Sequence, residues 1–65
     1  MRVTVNDAAV ELDGDITVAG LLARLGFPDT GIAVAVDQAV LPRSRWDSTV
    51  PDGARVEVVT AVQGG

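Results

Sequence analysis

Cysteine, histidine, lysine and tyrosine are all missing from this 65-residue chain, and its only aromatic residues are Phe27 and Trp46. Each gap removes a class of chemistry. Without cysteine there is no disulfide framework, no thiolate nucleophile and no soft metal ligand. Without histidine the usual general base and the commonest transition-metal ligand are gone. Nucleophilic catalysis by this chain alone is therefore not expected. The absence of lysine means that nothing can be joined to a side-chain amine here, so chains of this protein linked through lysine cannot form. No apolar run reaches membrane-spanning length, and the opening "MRVTVNDAAV" lacks a charged leader with a continuous apolar segment. The expectation is a soluble, cytoplasmic protein with no membrane partner. Nine acids against five arginines give a net charge of −4, and no cluster of basic residues is present to neutralise a phosphate backbone. No nucleic-acid partner is expected.

What remains is apolar and mostly aliphatic. Hydrophobic residues make up 48% of the chain, so a core has to be built from Val, Leu, Ile and Ala. A chain of this length supports one domain and hides only about 60% of the surface its unfolded form exposes. Its stability should be a few kcal/mol.

The pattern of those residues predicts the elements. "RVTVN" from Arg2 alternates polar and apolar, and "AVEL" from Ala9 alternates again after Asn6-Asp7. This predicts a β-hairpin with Val3, Val5, Val10 and Leu12 on one face. Thr17 then stands where a helix cap belongs, with Val18, Leu21, Leu22 and Leu25 at helical spacing behind it and Gly26 as a left-handed stop. Gly20 inside that helix costs about 1 kcal/mol relative to Ala, and reads as a close packing point or a tolerated defect. Ile32–Val36 predicts a third strand, with Ile32, Val34 and Val36 on one face and Ala33 and Ala35 on the other. Asp37-Gln38 turns the chain, Ala39 to Leu41 make a short fourth strand, and Pro42 ends it. "VPDG" from Val50 to Gly53 suits a type I turn, and "ARVEVVTAV" forms the last strand.

This order predicts an α+β fold: a single β-grasp domain, 1–62, whose mixed sheet of four to five strands is covered on one face by one short helix. The last strand becomes the middle of the sheet. Residues 63–65 follow it as a flexible tail ending in Gly64-Gly65. Glycine in a strand costs more backbone entropy than any other residue, so the tail asks for a reason outside the fold. An end without Cβ atoms can thread a narrow channel and present its carboxylate to a partner's active site. A frayed end is the other reading of the same two residues. A carboxylate is a poor electrophile, so a partner would have to activate it, most simply with ATP as an acyl-adenylate.

Several segments together carry a resemblance. "TVAGLLARLG" at the helix, "VLPRSRW" from Val40 to Trp46 and "VPDGARVEVVTAVQGG" from Val50 to Gly65 resemble the sulfur carrier proteins of thiamine biosynthesis, the ThiS family, over essentially the whole chain. The Pro-Arg-x-x-Trp pattern with the "AVQGG" end separates it from ubiquitin and from the small subunit of molybdopterin synthase. Gly20 and the Asp52-Gly53-Ala54 turn depart from the family's usual residues, and neither touches the tail. The resemblance implies that Gly65 is adenylated by a ubiquitin-activating-like adenylyltransferase using ATP. It is then converted to a thiocarboxylate with sulfur from a persulfide donor enzyme, and gives that sulfur to thiazole synthase. Val62, Gln63 and Gly64 would enter the partner's active site with it. The chain would be a recycled co-substrate, not an enzyme, with no bound cofactor and no metal.

Strand parity adds a surface. Val56, Val58 and Thr60 should face the helix, while Arg55, Glu57, Val59 and Ala61 face out. Val59 and Ala61 with Ala33 and Ala35 then form a shallow apolar patch suited to partner docking, or simply a set of small sheet residues. Trp46 is expected to close the core. Arg43 is expected to pair with an acid or contact a partner, and Asp13 and Asp15 read as solvated turn residues. Three rival readings share these residues: a carrier for the molybdenum cofactor or another thiocarboxylate pathway, a ubiquitin-like protein modifier, and a plain interaction module.

Overall fold

Two corners of the chain place non-glycine residues in left-handed backbone, and both sit at two-residue turns. Asn6 and Asp7 have φ of 49° and 69°, and Asp37 and Gln38 have φ of 50° and 74°. Positive φ at both central residues is the signature of a type I′ hairpin, whose twist matches that of the flanking strands. In the computed structural model, which describes residues 1–60, these turns join β1 (Arg2–Val5) to β2 (Ala8–Glu11) and β3 (Ile32–Val36) to β4 (Ala39–Leu41). The fifth strand, β5 (Arg55–Thr60), is inserted between the two hairpins, giving the order β2-β1-β5-β3-β4. It runs parallel to β1 and antiparallel to β3. A mixed five-stranded sheet with its last strand in the centre and one helix packed on it is the β-grasp arrangement.

Helix α1 (Val18–Arg24) starts and stops where its side chains dictate. The Thr17 hydroxyl accepts from the Gly20 amide at 3.0 Å. The Val18 and Ala19 amides, which no helical carbonyl can reach, donate to the carbonyls of Ser48 and Trp46. At the other end Gly26 has φ of 83°. Its amide donates to Ala23 and that of Phe27 to Leu22, the paired bonds of a Schellman stop.

The core is aliphatic, as expected. Val3, Val5 and Leu12 from the first hairpin, Val18, Leu21 and Leu22 from α1, Val34 from β3, and Val56 and Val58 from β5 are all buried, and Trp46 joins them. Val10 is half-buried against this cluster. Val50 and Ala54, on which no expectation rested, are also buried.

Two expectations are corrected. Leu25 does not belong to the buried stripe: it is the C-cap, and 38% of its surface is exposed. The stripe ends at Leu22 because the helix is too short to carry it further. The turn before β5 is shifted by one residue. Ala54 donates to the Pro51 carbonyl, and Gly53 with φ of 81° is the third residue of Pro51–Ala54, the type II position that calls for glycine.

Candidate functional site

The end of β5 is where the fold delivers its C-terminal segment, so its anchoring comes first. On one side β3 pairs with it from Val36↔Val56 to Ile32↔Thr60. On the other side β1 pairs only at Thr4↔Arg55 and Val5↔Val56, with backbone bonds from Thr4 to Ala54 and from Asn6 to Val56. The Asn6 side chain prolongs that ladder: its amide donates to the Val58 carbonyl at 3.1 Å and accepts from the Val58 amide at 2.8 Å. Asp37 acts similarly at the second turn. Its amide donates to the Arg55 carbonyl at 2.8 Å, and its carboxylate accepts from the Arg55 amide at 2.9 Å. Both I′ turns therefore hold β5 from its flanks.

The outward sheet face is organised as parity predicts. Val59 lies opposite Ala33, and Ala35 lies between Glu57 on β5 and Val40 on β4. These residues line a shallow depression of about 220 Å³, in which Val59 is 60% exposed and Val40 77%. Val40 is the member that sequence reasoning missed. Ala39–Leu41 is apolar throughout, so the sequence held no alternation from which its outward side could be read. Ala61, the fourth residue of the expected patch, and Val62, Gln63, Gly64 and Gly65 lie outside the described residues.

Trp46 packs into the core at 7% exposure, and its indole N–H donates to the Leu41 carbonyl at 3.2 Å. Arg43 does not pair with an acidic side chain. Its guanidinium donates to the backbone carbonyl of Asp29 and lies 5.4 Å from the centre of the Trp46 ring, a cation–π arrangement. Among the described residues the ion pairs are Arg2 with Glu11 at 2.6 Å and Arg55 with Asp7 at 2.7 Å, both on the surface. Asp13 and Asp15 are exposed, and no group of three or more metal-ligating side chains occurs among the described residues. No described helix is long and apolar enough to cross a membrane.

The model of the ThiS family matches residues 3–65. The chain belongs to the ThiS family. It is 32% identical over 66 residues to the sulfur carrier protein ThiS of Escherichia coli (strain K12), a match that covers 100% of both chains. Its fold is similar to the crystal structure of the thiamine biosynthesis protein ThiS from Geobacter metallireducens, with a TM-score of 0.85, 33% identity and 100% of each chain covered. A solution structure of a thiamine biosynthesis protein from the same organism gives a TM-score of 0.77 at 33% identity, covering 100% of this chain and 88% of that one. The ThiS match runs to residue 65 and so includes Gly64-Gly65, and it spans both I′ turns, the Pro42–Trp46 segment and all of β5.

Proposed function

We propose that this chain is a sulfur carrier in thiamine biosynthesis, loaded as a thiocarboxylate on Gly65. The supporting observation is the ThiS family match over residues 3–65, together with a full-length relative that is itself named a sulfur carrier protein. The chemistry needs little from the fold beyond presentation. A carboxylate resists nucleophiles, so a ubiquitin-activating-like adenylyltransferase would use ATP to convert the Gly65 carboxylate into an acyl-adenylate. The terminal sulfur of a donor enzyme's persulfide would attack that carbonyl and expel AMP, leaving an acyl disulfide. A thiol reductant would then cleave the S–S bond, freeing the Gly65 thiocarboxylate and the donor's thiol, and thiazole synthase would receive the sulfur. With no cysteine and no histidine, the chain offers no thiolate or imidazole to this chemistry. It acts as a recycled co-substrate, and ATP belongs to its partner.

Under this reading residues 1–62 are the grip and residues 63–65 the working end. The missing Cβ atoms of Gly64 and Gly65 let the terminal carbonyl pass a constriction that larger residues would block, with Val62 and Gln63 following. The depression at Ala33, Ala35 and Val59 is the face on which both enzymes dock, since an exposed apolar patch of this kind suits protein association. On this reading the carrier works in the cytoplasm, where ATP for its loading is at hand.

The test is an intact mass before and after incubation with a cognate adenylating enzyme, ATP and a persulfide donor. A gain equal to sulfur replacing oxygen, absent when Gly65 is deleted, is the expected result. An unchanged mass with an enzyme proven active on another carrier would overturn the reading. Thiazole formation on adding the synthase then separates this pathway from a molybdopterin-type one.

A further inference from the structure

Asp13 and Asp52 are the aspartates that a glycine follows. Such a pair is open to a reaction within the chain itself, because the next amide nitrogen, with no Cβ beside it to crowd the approach, can reach the aspartyl side-chain carbon. Both pairs are exposed, so access to water does not distinguish them. Their hydrogen bonding does.

Asp52-Gly53 is locked. The two residues are the centre of the Pro51–Ala54 turn, which the Ala54 amide closes on the Pro51 carbonyl at 3.1 Å. The nitrogen that would attack, that of Gly53, donates to the Arg2 carbonyl at 2.8 Å. The carboxylate that would be attacked accepts from the Arg2 amide at 3.2 Å. A type II turn also sets ψ of its second residue to about +120°, which carries the next nitrogen away from the side chain. Ring closure there has to break both bonds to β1 and undo the turn. Asp13-Gly14, in the connection between β2 and α1, has no such restraint. Among the described residues no hydrogen bond holds the Gly14 amide or the Asp13 carboxylate. Open space lies where a Gly14 Cβ would stand. The last anchors come one residue earlier, where the Leu12 amide donates to the Met1 carbonyl at 2.8 Å and the Met1 ammonium to the Leu12 carbonyl at 3.0 Å.

We propose that Asp13 is a site of spontaneous isomerisation to isoaspartate, and that the fold shields Asp52 from the same reaction. The Gly14 nitrogen gives its proton to solvent and attacks Cγ of the Asp13 carboxyl in its protonated form. A C–N bond forms, a C–O bond breaks, and the hydroxyl leaves as water. One water then reopens the succinimide ring at either carbonyl. Opening at the main-chain carbonyl routes the backbone through the Asp13 side chain, one methylene longer, and leaves a free α-carboxylate. The mass is unchanged overall, and no oxidant or reductant is needed. The added methylene falls just beyond the Met1–Leu12 anchor, so buried Leu12 keeps its place. An isoaspartyl residue is the feature that a protein-repair carboxyl methyltransferase recognises, so that class of enzyme is the partner of aged copies. The reaction needs neither Gly65 nor a loading enzyme, and stands apart from the carrier reading.

The experiment ages the full folded chain in warm, mildly acidic buffer. Electron-transfer fragmentation then tells isoaspartate from aspartate at each position, and methyl transfer by an isoaspartate-directed methyltransferase counts the total. Isoaspartate should accumulate at position 13 and be absent at position 52. In guanidinium chloride, where the turn and its bonds to Arg2 are gone, the two positions should react at comparable rates. Gly14→Ala meets open space and no positive φ, so it should keep a native circular dichroism spectrum and lose the signal at position 13. The proposal is overturned by a folded chain with no isoaspartate at position 13, or with as much at position 52. It is equally overturned by a preference for Asp13 that persists in denaturant, since the fold would then not be making the choice, or by a Gly14→Ala chain that isomerises as fast as the parent.

Discussion

Asn6 holds Val58 as a neighbouring strand would, through one donated and one accepted hydrogen bond of 3.1 and 2.8 Å. Its own backbone has already left β1 for the turn, at φ of 49°. The side-chain amide thus replaces the missing rung of the parallel ladder, so the hairpin can close without leaving the middle of β5 unpaired on that side. Asp37 does the equivalent for Arg55 from the opposite flank.

Asn6→Gly tests this division of labour, because glycine accepts the positive φ and removes only the amide. Two partly buried hydrogen bonds, each with a net worth of about 1 kcal/mol, should be lost. The expected result is a destabilisation of about 1–2 kcal/mol, read as a lower urea midpoint at unchanged slope. An unchanged midpoint would mean that β5 is fixed by β3 and the core alone.

The two glycines of the α1 region should respond differently to alanine. At Gly26 a Cβ meets nothing within 4 Å, but φ is 83°, so Gly26→Ala should cost about 1–2 kcal/mol in backbone strain. At Gly20 the helical conformation welcomes alanine by about 1 kcal/mol. A Cβ there comes within 3.1 Å of Ile16 Cγ1 and of Thr17 Oγ1, and that hydroxyl is fixed by its cap bond to the Gly20 amide. Gly20→Ala should therefore gain less than the propensity difference. Thermal unfolding of the two variants side by side checks the order, and a full propensity gain at Gly20 would show that the contact relaxes freely.

Much of this was legible before any coordinates. Alternation of Val and polar residues marked three strands and alternation of branched residues with Ala a fourth, Thr17 and Gly26 marked the helix ends, and parity on β5 separated Val56 and Val58 from Val59. Local sequence carries such information because each of these choices is made by neighbours a few residues apart. The roles of Asn6 and Arg43 were not legible, since their partners are 52 and 14 residues away. The burial of Val50 and Ala54 was hidden for the same reason: they flank a turn, and only the approach of Ile16 and Arg2, which bond to Val50 and Gly53, covers that segment. In the candidate site, Val40 lies in an all-apolar strand, and only its pairing with Ala35 places it on the outer face.

Val59 and Val58 are adjacent on β5 and should give opposite results when changed to Asp. Val58 is 7% exposed, so Val58→Asp places a carboxylate in the core and should unfold the domain. Val59, 60% exposed beside Ala33, should tolerate the charge. If the outer face docks the activating enzyme, Val59→Asp lowers affinity by about tenfold, on the order of 1.4 kcal/mol, while circular dichroism stays native. Loss of the fold in Val59→Asp would show the strand parity to be reversed, and unchanged affinity would move the docking face elsewhere.

Deleting Gly64 and Gly65 separates presentation from stability. The described ladder between β5 and β3 ends at Ile32↔Thr60, so the unfolding free energy should change by no more than about 0.5 kcal/mol. Sulfur loading should vanish completely, because the shortened chain ends in Gln63, whose side chain the glycine-sized constriction would exclude. Binding to the activating enzyme should persist in part, carried by the face around Ala33, Ala35 and Val59. A shortened chain that still gains sulfur would remove Gly65 from the mechanism. A large loss of stability would instead make the final glycines part of the sheet, leaving no free end to present.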